Sequence, residues 1–179
     1  MDTDFQFTLQ LLQRFFKQPK IQHRLQLITE HDITGWEIWL QVELACFIND
    51  HEDISEWYRE CQYSVDKRLA KTRQHMAIDF AFRRKRTKKD RYIALEIKQN
   101  LNVTQCIHNM VKDIEKVWWM RSSEDDIRSM WCLGVHPTSN DASLKQVVNK
   151  YAQQYEFELD EQCIHYQDID GTKWRFTLI

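Results

Sequence analysis

Apolar residues recur every three or four positions from the start of the chain, where Phe5, Leu9, Leu12 and Phe16 share one side of a helix that Pro19 closes. Ile21, Leu25 and Ile28 repeat the pattern and predict a second, short helix. Thr34-Gly35-Trp36-Glu37 fits a capping box, in which Thr34 and Glu37 satisfy the first free amides of a third helix running to about Asp50. The period then changes. Residues 56 to 65 predict a strand, and His75 to Phe82 a clearer one, with Met76, Ile78, Phe80 and Phe82 on one face. A polar turn from Arg83 to Arg91 leads to another strand, Tyr92 to Gln99, carrying Ile93, Leu95 and Ile97 on one face. Thr104 to Met120 returns to the helical period through Ile107, Val111, Ile114 and Trp118. Met130 to Val135 reads as a buried strand ended by His136-Pro137, and Ser143 to Tyr155 as a helix. Glu156 to Ile179 reads as a hairpin turning near Asp170-Gly171. This order predicts an α/β fold, a sheet with helices packed on its faces.

Composition supports that picture. The 179 residues include only 3 Gly and 2 Pro, too few for a turn-rich sandwich, and 42% are hydrophobic, too many for a disordered chain. The length suits one domain with a real core and a small appendage. Mean hydropathy is -0.65, and no apolar run approaches the ~20 residues a membrane span requires. The acidic start, Met1-Asp2-Thr3-Asp4, does not read as a signal peptide. Five cysteines without a Cys-x-x-Cys pair predict reduced thiols, mostly small buried hydrophobes, in a cytoplasmic setting. None of the seven histidines completes a zinc ligand set. The net charge of -2 conceals an uneven distribution: residues 66 to 91 hold 11 Lys+Arg against 3 Asp, while the rest of the chain holds 14 against 24.

The chemistry is concentrated on the two strands that flank the basic turn. Alternation turns Ala77, Asp79 and Ala81 away from the apolar face of the first strand, and Ala94, Glu96 and Lys98 away from that of the second. If the strands form a hairpin, two carboxylates and an amine share a face otherwise lined by alanines. Such a face is costly to cover unless its charges bind something, and a divalent cation relieves the repulsion between paired carboxylates. Mg²⁺ takes hard oxygen ligands and keeps several waters, so one Asp, one Glu and a backbone carbonyl suffice. The alternative is an ordinary cross-strand salt-bridge set on a solvated face.

Ile78-Asp79, followed seventeen residues later by Glu96-Ile97-Lys98, resembles the motif of the PD-(D/E)XK nuclease superfamily, over residues 43 to about 135. The family's Pro before the Asp is Ile78 here, and no Gln-x-x-x-Tyr follows the lysine. The resemblance implies a restriction-endonuclease-like core over residues 34–179, a mixed central sheet flanked by helices, preceded by an N-terminal helical segment over 1–33. It implies that Asp79, Glu96 and the Ile97 carbonyl hold Mg²⁺, or Mn²⁺ in its place. Lys98 would then position and activate the water that attacks a phosphodiester, in DNA ahead of RNA. Many members carry an acidic residue on the helix before the core sheet. Glu43, inside the stripe of Trp36, Trp39, Leu40, Leu44 and Phe47, resembles that residue and would assist the metal directly or through water. Its plainer reading is an edge position paired with a surface arginine. Asp113 and Lys116, on the following helix, read as a solvated face.

Arg83, Arg84, Lys85, Arg86, Lys88, Lys89 and Arg91 crowd the turn between the motif strands and are expected to track a nucleic-acid backbone. A solubilising loop or a nuclear-localisation-like run is the alternative. A double-strand cutter would also work as a homodimer. Two other classes remain open: an idle member of the same fold that binds nucleic acid or protein, and an inhibitor or immunity protein whose acidic surface meets a basic partner.

Overall fold

The computed structural model describes residues 3–64, 75–88, 91–120, 127–156 and 158–179. Among these residues it is an α/β fold with five α-helices and one six-stranded mixed sheet. Three helices come first: α1 (Asp4–Phe16), α2 (Pro19–Glu30) and α3 (Glu37–Asn49). Pro19 does end the first helix, and it also starts the second, at the first helical position where its missing N–H costs nothing. The strands β1 (Ile54–Ser64), β2 (His75–Arg84) and β3 (Tyr92–Gln99) follow. Then come α4 (Val103–Met120), β4 (Ile127–Pro137), α5 (Asp141–Gln154), a short 3-10 turn at Glu161–Cys163, and β5 (His165–Asp168) with β6 (Trp174–Leu178).

The strands lie in the order β1-β2-β3-β4-β6-β5. All neighbours are antiparallel except β3 and β4, which run parallel and are joined through α4. Such a pair needs a crossover long enough to return the chain to its starting edge, and a helix supplies it. Each sheet face has its own core. Phe80, Phe82, Ile93, Leu95, Ile97, Leu133 and Val135 pack in one cluster with α1, α2 and α3, so the first two helices belong to the core of the sheet. Cys106, Met110 and Val111 of α4 pack on the other face with Cys132, Leu144 and Val148. Gly134 lets α4 approach: a Cβ there would lie 2.2 Å from the Met110 sulfur. No helix among the described residues is long and apolar enough to cross a membrane.

Three expectations need correction. The capping box does not form. Gly35 takes φ +70°, Trp36 becomes the residue before the helix, and Glu37 is the first helical residue, too early to reach back as a cap. β2 and β4 are longer than expected. Ile54 pairs with Arg84, and Tyr92 with Ile127, so pairing carries each strand into polar sequence that alternation alone leaves out. None of the five cysteines is in a disulfide, but only Cys106 and Cys132 are buried; Cys46 is exposed, and Cys61 and Cys163 lie between.

Candidate active site

Asp79 stands where the sheet opens. The β2–β3 ladder runs Phe82↔Ile93, Ala81↔Ala94 and Phe80↔Leu95, and stops there. On the other side, the β1 register passes from Arg59↔Phe80 to Cys61↔Ile78 without pairing Asp79, and Glu60 between them takes φ +53°. Backbone this strained for a residue with a Cβ persists only where its surroundings over-determine it. Released from the ladder, Asp79 uses its carboxylate instead: Oδ2 accepts the Ile97 N–H at 2.7 Å. That single bond ties the tip of the opening to the middle of the Glu96-Ile97-Lys98 segment.

Glu96 and Lys98 project from β3 toward α4, on the face occupied by Asp79. Lys98 Nζ donates to Glu96 Oε2 at 3.2 Å and to the Ile97 carbonyl at 3.0 Å, and pairs with Asp113 Oδ2 of α4 at 2.8 Å. Glu96 and Asp113 are almost wholly enclosed, with side chains 7% and 6% exposed, and Lys98 is 21% exposed. Burial, reinforced by the Asp79 and Asp113 charges, raises the Glu96 pKa well above the usual carboxylate range, against the pull of Lys98. Burial by itself would lower the Lys98 pKa, but Glu96 and Asp113 outweigh it and keep the ammonium protonated above the ordinary lysine range. The cluster therefore holds a cation, with carboxylates competing for it.

Glu37 completes the set. From the first turn of α3, its Oε2 accepts the Gln99 N–H at 2.8 Å, at the end of β3. Burial raises its pKa, and the charges that bear on it are those of Lys98, Asp79 and Asp113. The acidic residue that α3 brings to the cluster is therefore Glu37. Glu43 lies six residues further along the helix, about a third of a turn away around its axis. It is half-buried and ion-paired with Lys20 of α2 at 3.2 Å. This matches the plainer reading of Glu43, with a lysine in place of an arginine. The solvated reading of Asp113 is overturned by its burial against Lys98; the Lys116 side chain lies outside the described residues.

The basic turn divides into two groups. Arg83 is committed to the fold: its Nε bonds Glu56 Oε1 at 2.6 Å and its Nη1 the Thr87 carbonyl at 3.2 Å. Arg84 lies over the Phe7 ring, 4.3 Å from the centroid. Lys85, Arg86, Lys88 and Arg91 are exposed, while Lys89 and the cations between 65 and 74 lie outside the described residues.

Among the described residues, no group of three or more His, Cys, Asp or Glu side chains is arranged to hold a metal ion. The donors on offer are two carboxylates and a peptide carbonyl. They are hard oxygens, the type and number that Mg²⁺ accepts while retaining water. Glu96 Oε2 and the Ile97 oxygen already converge on one positive centre, the Lys98 ammonium. By donor chemistry, the set fits a small divalent cation. No family model, curated protein or solved structure matches the chain.

Proposed function

We propose that this protein is a Mg²⁺-dependent nuclease that hydrolyses phosphodiester bonds, in DNA ahead of RNA. The observation that carries the reading is the convergence of Glu96 Oε2 and the Ile97 carbonyl on a single cationic position beside Asp79, at the mouth of a locally opened sheet. The helix α3, the antiparallel run β1-β2-β3, the crossover α4 and the parallel strand β4 also agree with the flanked mixed sheet that the PD-(D/E)XK resemblance implies.

In this reading Asp79, Glu96 and the Ile97 carbonyl hold Mg²⁺, or Mn²⁺ in its place. When bound, the ion supplies Lewis-acid polarisation of the phosphate and a more acidic water. Lys98 keeps its proton, orients the attacking water and offsets negative charge on the phosphate as the bond breaks. Asp113 is a positioning residue that fixes the ammonium from the α4 side, and Glu37 holds the end of β3 through Gln99 N. Lys85, Arg86, Lys88 and Arg91 extend the phosphate contacts away from the site. The thiols outside any disulfide agree with a reducing, cytoplasmic compartment.

One observation favours a second reading, an idle fold that binds nucleic acid or a protein. Lys98 is fully engaged by Glu96, Ile97 and Asp113, and a lysine so held does no chemistry until a ligand displaces it. Supercoiled plasmid and single-stranded DNA, incubated with Mg²⁺ or Mn²⁺ and wild type, Lys98→Ala or Asp79→Ala, separate the two. Cleavage by wild type alone supports the nuclease. No cleavage, or equal cleavage by all three proteins, refutes it.

A further inference from the structure

On the opposite face of the sheet, five residues along β2 from Asp79 and so ~17 Å away along the strand, a cavity of about 160 Å³ lies between the end of α1 and the start of β1. Phe7, Gln10, Arg14, His51, Asp53 and Arg84 line it. His51, only 8% exposed, has a bonding pattern that its partners among the described residues leave incomplete. Its Nδ1 faces the Asp53 backbone N–H at 3.2 Å, and its Nε2 faces Arg14 Nη1 at 3.2 Å. Both neighbours are obligate donors. A neutral imidazole has one N–H and one acceptor nitrogen, so whichever tautomer forms, one ring N–H points at another donor. Buried donors without acceptors are rare and call for an explanation.

We infer that this cavity is a binding site for a phosphate group, whose oxygens accept simultaneously from His51 and from the Arg14 guanidinium. The charge around it favours an anion over water. Arg14 and Arg84 line the cavity, and Lys85 acts on His51 from the adjoining turn. Two carboxylates oppose them: Glu52, itself 76% exposed, stands 3.9 Å from Arg14, and Asp53 is exposed at the rim. Neither makes a side-chain hydrogen bond to the ring among the described residues. Burial first, and then the Arg14 charge, lowers the His51 pKa, which agrees with a ring already surrounded by donors. The planar guanidinium suits bidentate contact with a tetrahedral oxyanion. The cavity opens beside Arg84, where the basic turn begins, so the phosphate of a nucleic acid or a free phosphate could supply the ligand. This inference does not rest on the nuclease reading, and its test involves no hydrolysis.

The test is a ¹H–¹⁵N NMR titration of the whole protein with inorganic phosphate at constant ionic strength, following the Asp53 amide and the His51 ring nitrogens. Saturable shifts at both are expected. Binding should weaken about tenfold or more in Arg14→Gln, as when one charge-assisted hydrogen bond is removed, and by a smaller factor in Arg84→Gln, which takes away charge beside the cavity. Arg14 has a side chain 56% exposed, so its replacement should leave the fold intact, which unchanged shifts elsewhere would verify. A 5′-phosphorylated oligonucleotide that moves these signals when its 5′-hydroxyl counterpart does not identifies a terminal phosphate as ligand. Equal shifts from both identify a backbone diester, and a response to inorganic phosphate alone identifies a free anion. Signals that phosphate leaves in place, or that move in both variants as they do in wild type, overturn the inference.

Discussion

Replacing Lys98 with alanine strips the positive partner from two enclosed carboxylates at once. The ammonium lies 2.8 Å from Asp113 Oδ2 and 3.2 Å from Glu96 Oε2, and both acidic side chains are almost wholly enclosed. Breaking a buried pair by removing one partner costs about 3–5 kcal/mol, because the remaining charge has neither water nor a counter-ion. In a domain of this length each kcal/mol lowers the melting temperature by about 2–4 °C, so Lys98→Ala should melt roughly 6–20 °C below wild type. Adding Asp113→Asn to Lys98→Ala removes one orphaned charge and should recover part of the loss. Mg²⁺ should raise the melting temperature of Lys98→Ala more than that of wild type, because the ion then meets no competing ammonium. Thermal denaturation at neutral pH, with and without Mg²⁺, reads all three effects. A Lys98→Ala protein melting within about 2 °C of wild type would refute the buried cluster.

Three further outcomes are expected. Gly134→Ala would set a Cβ 2.2 Å from Met110 Sδ in a fully enclosed contact, costing about 1–3 kcal/mol by denaturant unfolding; in a Met110→Ala background, itself destabilised, the added cost of Gly134→Ala should shrink. His136 donates from Nδ1 to the Pro137 carbonyl and accepts at Nε2 from the Thr177 hydroxyl, and burial lowers its pKa below the usual 6.5. The unfolded ring therefore takes up a proton that the folded ring refuses, so stability present at pH 7 falls as pH drops below about 6.5, and His136→Asn should flatten that part of a melting-temperature-versus-pH curve. Replacing Lys85, Arg86, Lys88 and Arg91 with Gln should weaken DNA binding and reduce the slope of log affinity against log salt by ~0.9 for each phosphate no longer neutralised, measured by fluorescence anisotropy; an unchanged slope would remove the turn from the interface.

The strand residues of the site are legible because period-two alternation assigns faces without knowledge of partners: it places Asp79, Glu96 and Lys98 on one face from sequence alone. Residues brought in by helices are not. Glu37 reads as half of a capping box, and only the positive φ of Gly35, which shifts the helix start, sends its carboxylate to Gln99 instead. Asp113 reads as a polar position on an amphipathic helix, because a helix pattern does not reveal that a lysine on the preceding strand needs a second carboxylate. Glu43 stands out for lying within an apolar stripe, yet Lys20 on the neighbouring helix answers its charge. The polar start of β4 escapes the alternation for a similar reason: Asp4 of α1 bonds both Arg128 and Ser129, giving that stretch partners 124 and 125 residues away. In each case the missing information is an interaction distant in sequence, which local periodicity does not carry.

The Mg²⁺-dependent rate of DNA cleavage, measured for wild type, Asp79→Asn, Glu37→Gln and Glu43→Gln in one assay, tests the site most directly. Wild type should cleave, and Asp79→Asn should fall by about 10²–10³, the scale expected when a charge-stabilising group is removed. Glu37→Gln should fall measurably, and Glu43→Gln should stay within about twofold of wild type, as expected of an ion pair whose lysine is solvent-exposed. Absence of cleavage by wild type, or an Asp79→Asn rate equal to that of wild type, would contradict a catalytic centre built on Asp79, Glu96 and Lys98.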